Sequence, residues 1–238
     1  MKKLLILLII PFLNACIFTE IGNRTPPGDV IEEEFNVDFF DEADIGSAFN
    51  AVIIPSTNFR VTATGAERDV NDLNVRVINN TLKVSYVKSS WFGSISRDRV
   101  DLLIEVPELT AIDVSGAARV DIEDFTSFDL FRADLSGASK VNLDVEVSDL
   151  RIEISGASTL DVNRQTPNIT ASISGASKLN AFDADSEEVY LDLSGASKAN
   201  VSVSDYLNVE ASGASTVNYR GTPRIDQEVS GGSKVRKD

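Results

Sequence analysis

From residue 115 onward a four-residue block returns seven times, and no other feature of the chain restricts its fold as strongly. The copies are Ser115-Gly116-Ala117-Ala118, Ser136-Gly137-Ala138-Ser139, Ser155-Gly156-Ala157-Ser158, Ser174-Gly175-Ala176-Ser177, Ser194-Gly195-Ala196-Ser197, Ser212-Gly213-Ala214-Ser215 and Ser230-Gly231-Gly232-Ser233. Their leading serines are 21, 19, 19, 20, 18 and 18 residues apart. A steady period near twenty is the mark of a solenoid, in which each repeat is a coil that buries its apolar side only against its neighbours.

Aligning the copies on the first serine exposes the strands. The residue before it is always apolar (Val114, Leu135, Ile154, Ile173, Leu193, Ala211, Val229), and the one before that is acidic in every copy except Ser172. Five residues after the serine stand Val120, Val141, Leu160, Leu179, Ala199, Val217 and Val235, and six after stand Asp121, Asn142, Asp161, Asn180, Asn200 and Asn218. Apolar alternating with polar on both sides of the block predicts one strand entering it and one leaving it, each with one face inside. At roughly 3.3 Å per residue a coil has a perimeter near ~60 Å, which suits two or three short strands with corners. Coils ~4.8 Å apart would set equivalent residues above one another as ladders. Aromatics are only 7% of the chain, so Val, Ile, Leu and Ala fill a narrow interior. The Ser-Gly-Ala block is where the chain bends, since glycine reaches backbone angles closed to other residues. A phosphate-cradling loop would need a helix after the glycines, and none follows.

Upstream, residues 35–107 read as an irregular N-terminal part of the same domain, and 108–238 as its regular coils. Asp44 to Ile53 resembles a degenerate copy of the block, and Asn79-Asn80 sits where a hairpin turn belongs. This section is expected to cap the stack, because an uncovered coil exposes unpaired strand edges. At the other end Lys234, Arg236 and Lys237 put charge on the last coil and discourage edge-to-edge growth.

The N-terminus reads as an address. Met1-Lys2-Lys3 precedes an apolar stretch from Leu4 to Leu13 that is too short to span a bilayer as a helix. It leads into Leu13-Asn14-Ala15-Cys16, which looks like a bacterial lipobox with Cys16 as the lipidation site, although Asn14 is less usual than Ala or Ser at its position. The expected division is a signal peptide over 1–15, a tether over 16–34 and the solenoid domain over 35–238. Ordinary secretion with Cys16 left as a stray thiol is the alternative. Acyl chains at ~0.8 kcal/mol per buried methylene would hold the protein on a membrane.

Composition narrows the chemistry. The chain has no histidine, so His triads, His-ligated zinc and His proton relays are excluded. One cysteine cannot make an internal disulfide. A net charge of −15 disfavours nucleic acid as a partner. No catalytic residues, cofactor or metal site are assigned. Stacked carboxylates about 5 Å apart would repel, and a bound calcium ion could relieve them. A solvated face offset by Lys140, Lys178 and Lys198 is the preferred reading, since no loop has calcium-ligand spacing.

The Ser-Gly-Ala-Ser blocks, the entry from Phe40 to Val52, and the ending Tyr219-Arg220-Gly221-Thr222-Pro223 running into Ser230-Gly231-Gly232-Ser233 together resemble the putative auto-transporter adhesin head GIN domain family, a domain of unknown function. The resemblance covers about residues 36–236. It implies a right-handed parallel β-helix-like solenoid, a single all-β domain, in the cell envelope of a Gram-negative bacterium, with an adhesin role suggested by the family's name. Many members carry Gly where this chain has Ser after Ser-Gly-Ala. The family offers no agreed active site to carry over.

Two functional readings follow. The first is an exported, lipid-anchored envelope module, an outer membrane lipoprotein that is adhesin-like or structural and whose ligand is a glycan or an envelope or matrix protein. Repeated rungs would give such a ligand many equivalent weak contacts. The second is a polysaccharide-acting β-helix enzyme, which would need two carboxylates in unequal environments and usually an insertion that breaks the repeat. Candidate ligand-contacting residues are the exposed aromatic pair Trp91 and Phe92, or the ladder of Asn142, Asn180, Asn200 and Asn218.

Overall fold

The alternation around each serine becomes two β faces that share one core. The computed structural model describes residues 28–87 and 97–238, so Cys16, Trp91 and Phe92 lie outside the described residues. The first half supplies β1 (Val30–Asn36), β2 (Glu42–Ile45), β3 (Asn50–Pro55), β4 (Arg60–Ala66), one helical turn α1 (Glu67–Val70), β5 (Leu73–Ile78), β6 (Thr81–Tyr86) and β7 (Asp101–Val106). The repeats supply β8 (Ala111–Val114), β9 (Arg119–Leu135), β10 (Lys140–Ile154), β11 (Thr159–Val162), β12 (Asn168–Ile173), β13 (Lys178–Leu193), β14 (Lys198–Ala211), β15 (Thr216–Arg220), β16 (Arg224–Val229) and β17 (Lys234–Lys237).

Segments leading into the serines stack on one face, here called the entry face. It runs β5, β6, β2, β8, the ends of β9 and β10, β12, the ends of β13 and β14, and β16. Segments leaving the serines form the exit face: β1, β4, β7, β3, the starts of β9 and β10, β11, the starts of β13 and β14, β15 and β17. Every pairing in the repeat region is parallel, and the result is a β-solenoid of about seven turns. The expected continuous stack with glycines along one edge is what forms.

The regular stack starts earlier than residue 108. Strands β2 and β3 pair in parallel with β8 and β9, so the degenerate copy around Gly46-Ser47 is the first rung of the glycine edge. Antiparallel pairing is confined to the cap: β5 with β6, β4 with β7, and β1 with β4. The β5–β6 hairpin closes through Asn79 and Asn80, both left-handed at φ 51° and 64°, as a two-residue hairpin turn requires. The tether expected over 16–34 is shorter at its end, because β1 begins at Val30 and pairs with β4 over seven residue pairs. Ile31 and Phe35 on its inner side pack against the core, which draws that segment into the sheet.

At the glycine edge the hydrogen-bond ladder passes through the corner unbroken. Ser136 N–H donates to the Val114 carbonyl (2.8 Å), Ala138 N–H to Gly116 (2.7 Å) and Lys140 N–H to Ala118 (2.9 Å), and later coils repeat the set. Register is kept residue for residue through this corner and both flanking strands. The unequal coil lengths are absorbed at the opposite junction, where β9–β10 and β13–β14 slip register and Asp124 and Asp185 turn left-handed.

Inside, the row from Val120 to Val217 is buried in each coil, as is the row from Val114 to Ala211. The bulkiest buried side chains, Phe40, Phe49, Phe125 and Phe131, all lie before the third serine block. Each buried Val, Leu or Ile contributes about 1.5–3 kcal/mol relative to exposure. The last coil has a neighbour on one side only, and all six residues of β16 are exposed.

Candidate functional site

On the outer side of the entry face, residues two, four and six before each serine from Ser136 onward form three parallel columns, because alternate side chains point outward and the coils stay in register. The column beside the glycine edge is the acidic one. Shallow grooves lie between it and the serine row, one of about 220 Å³ lined by Asp113, Asp134, Glu153, Ser136, Ser155 and Ser174, and one of about 480 Å³ lined by Asp192, Glu210, Glu228, Ser212 and Ser230. Partial burial, then the negative charge of Asp44, raises the Asp113 carboxyl above the usual carboxylate range. Burial and the charge of Glu153 do the same to Asp134, whose Oδ1 is buried without a hydrogen-bond partner. The lysines after the serines do not offset this column. They start the exit face, around the corner, and Lys140 reaches Asp161 at 3.5 Å instead. The neutralising groups are Lys83 on Asp44 (2.6 Å) and Arg132, which lies 3.2 Å from Glu42 and 3.5 Å from Asp134. Among the described residues no group of three or more Cys, Asp or Glu side chains is placed to hold a metal ion.

The asparagines six residues after the serines come together as expected of stacked rungs, and each donates to the asparagine or aspartate of the preceding rung. Asn180 Nδ2 donates to Asp161 Oδ1 (2.5 Å), Asn200 to Asn180 (2.8 Å) and Asn218 to Asn200 (2.8 Å), while Asn142 donates to Asp121. One amide hydrogen of each is thus committed to the ladder, and Asn200 is buried.

At the capped end a charged cluster joins residues on either side of positions 88–96, among them Tyr86, Arg97 and Asp98. Asp69 is fully buried and meets Arg68 at 2.8 Å, Arg97 at 3.6 Å and the Asp98 N–H at 2.9 Å. Burial pushes its pKa up, but the hydrogen bonds from Arg68 and Asp98 and the two guanidinium charges outweigh that and hold it below the ordinary aspartate value. Arg97 also binds Asp72 and lies 3.7 Å over the Tyr86 ring. Burial, with help from the Asp69 charge, pushes the Tyr86 hydroxyl up to about 12. These six residues are engaged with one another, which is the arrangement of a structural clamp.

The outer columns of the entry face also hold a feature the sequence reading missed. Tyr190 and Tyr206 fall on neighbouring coils with ring centroids 5.7 Å apart, edge to face. The Arg224 guanidinium lies 4.7 Å over Tyr206, and Glu188 accepts a 3.0 Å hydrogen bond from the Tyr190 hydroxyl. Tyr190 is 40% exposed. Counting back four residues from Ser194 and six from Ser212 would have put both rings outside and on adjacent rungs.

Among experimentally solved structures, a putative adhesin from Bacteroides fragilis matches with a TM-score of 0.79 at 19% identity, over 88% of this chain and 97% of that one. A putative adhesin from Parabacteroides merdae matches at 0.70 and 16% identity, covering 89% and 97%. A protein from Parabacteroides distasonis described as a putative lipid binding protein matches at 0.73 and 17% identity, also covering 89% and 97%. At such identities the likeness establishes the fold. No curated protein matches the chain in sequence. The family model described as "Putative auto-transporter adhesin, head GIN domain" matches residues 39–223, and the chain belongs to that family.

Proposed function

We propose that the chain is a lipid-anchored, adhesin-like binding module of the cell envelope, exported and held through Cys16 at the outer membrane. The observation that carries this reading is the outer entry face, where register-locked coils present a column of equivalent acidic side chains from Asp113 to Glu228, interrupted only at Ser172, a surface suited to multivalent contact. Family membership and the adhesin descriptions of the similar structures support it. Binding is inferred in preference to polysaccharide cleavage because, along the acidic grooves, the two shifted carboxylates, Asp113 and Asp134, are both raised by burial and a neighbouring carboxylate. A catalytic acid and its partner need environments that separate them.

The test has two arms. Cells carrying the full-length chain are fractionated beside cells carrying Cys16→Ser. Loss of detergent-extractable membrane attachment in the variant is expected, and unchanged attachment would overturn the anchor. The same cells are then scored for adhesion to immobilised mucin and matrix proteins, where equal adhesion with and without the protein would overturn the binding role.

A further inference from the structure

The aromatic pair on the entry face belongs to a composed site. Its neighbours in the outer columns are Thr170 and Asn208, in register with Tyr190 on either side, and Asn168, in register with Glu188. One column over, on the same strands, begins the groove of about 480 Å³ lined by carboxylates and serine hydroxyls. Two rings at the centre, short carboxamide and hydroxyl groups around them, and a carboxylate-lined groove alongside form a surface on which sugars can both stack and hydrogen-bond.

We propose that Tyr190, buttressed edge to face by Tyr206, forms the stacking platform of a binding site for an uncharged glycan chain, which lies across the entry face with its hydroxyls turned to Asn208, Arg224 and the adjoining groove. This names the ligand class of the binding role proposed above and rests on it. An aromatic ring has a negative face, which attracts the weakly positive C–H face of a pyranose. Tyrosine presents this area with only two side-chain torsions to restrict, so little conformational entropy opposes binding. Arg224 stacked on Tyr206 and Glu188 bonded to Tyr190 hold both rings before a ligand arrives. Asp192, Glu210 and Glu228 supply acceptors for paired sugar hydroxyls, and their charge repels uronate or sulfated chains. That sets the preference for neutral sugars.

The experiment uses the full-length protein in detergent and immobilised probes: mannan and N-acetylglucosamine oligomers as neutral glycans, polygalacturonate and heparin as anionic ones, and a matrix protein stripped of its glycans. Binding to at least one neutral probe is expected, with weaker binding to the anionic ones. Tyr190→Ala and Tyr206→Ala should each lower that affinity about tenfold or more, as at a hot spot. Tyr206→Phe, which keeps the ring, should restore most of it. Arg151→Ala, on an exposed rung farther along the same face, should change nothing, and thermal melts of all variants should match the parent within a few degrees. Neutral-glycan binding that survives both alanine variants, or that is lost in Trp91→Ala or in the combined Asn142, Asn180, Asn200 and Asn218 variant instead, would overturn this site while leaving the binding role standing. Binding only to the stripped matrix protein would overturn the ligand class, and binding to nothing would overturn both readings.

Discussion

Gly116 sits directly over Ser47: a Cβ built on Gly116 would lie 2.4 Å from the Ser47 carbonyl oxygen, the same oxygen that accepts the Ala117 N–H at 2.6 Å. Both residues are left-handed, with φ of 71° and 61°. The left-handed turn aims each carbonyl along the stack, where the next coil's N–H takes it and leaves no room for a side chain above. Ser47 keeps its Cβ because it is exposed and no glycine rung precedes it among the described residues.

A methyl group in mid-ladder should therefore be far worse than one at its start. In Gly156→Ala the new Cβ would meet the Gly137 carbonyl oxygen at 2.3 Å. We expect a loss of about 1–2 kcal/mol from the left-handed backbone and about 1–3 kcal/mol from overpacking. Ser47→Gly relieves the first of these but loosens the unfolded chain by about 0.4–1 kcal/mol, so its net effect should be small. Thermal melts of the two variants decide, and equal shifts would refute the stacking argument.

The acidic column makes stability depend on pH in one direction. The folded pKa of Asp134 is raised above its unfolded value, so the stability it contributes is present below the unfolded value, about 3.9, and is lost as pH rises through the folded one. Asp134→Asn should therefore melt higher than the parent at pH 7, with the gap closing below about pH 4. A gap that is constant across this range would show that charge is not the cause.

Asp69 should behave in the opposite sense. Its folded pKa is lowered, so its stabilisation is present above the unfolded value and is lost as pH falls through the folded one. Asp69→Leu removes the buried carboxylate that Arg68, Arg97 and the Asp98 N–H share, and should cost about 3–5 kcal/mol near neutral pH, less in acid. Chemical denaturation at pH 7 and in mild acid measures both.

The buried serines that end the blocks are unequal. Ser197 Oγ donates to the Ser194 carbonyl at 2.7 Å, whereas Ser177 Oγ is buried with no partner. Ser197→Ala should lose about 1 kcal/mol, and Ser177→Ala should be neutral or stabilising. A larger loss at Ser177 than at Ser197 would contradict the hydrogen-bond assignment.

The serine spacing alone determined the coil, its corner and its inward rows. A strand's side chains alternate strictly, so a fixed distance from Ser136 or Ser155 decides whether Ile154 points in or Glu153 points out. The rung at Gly46-Ser47 was legible for the same reason, although its glycine stands one place early. Tertiary structure decided what depends on which strand lies beside which. That β4 runs antiparallel to β7 follows from where Arg60–Ala66 finds an open edge, and local pattern does not contain that choice. Lys140 and Asp161 meet, and Lys140 and the acidic column do not, because a corner separates positions that are close in the repeat. Tyr190 and Tyr206 are sixteen positions apart in the sequence and touch only because parallel stacking sets Glu188 in register with Tyr206. A repeating sequence states which way each side chain points; contact between rungs requires the register that hydrogen bonding between coils imposes.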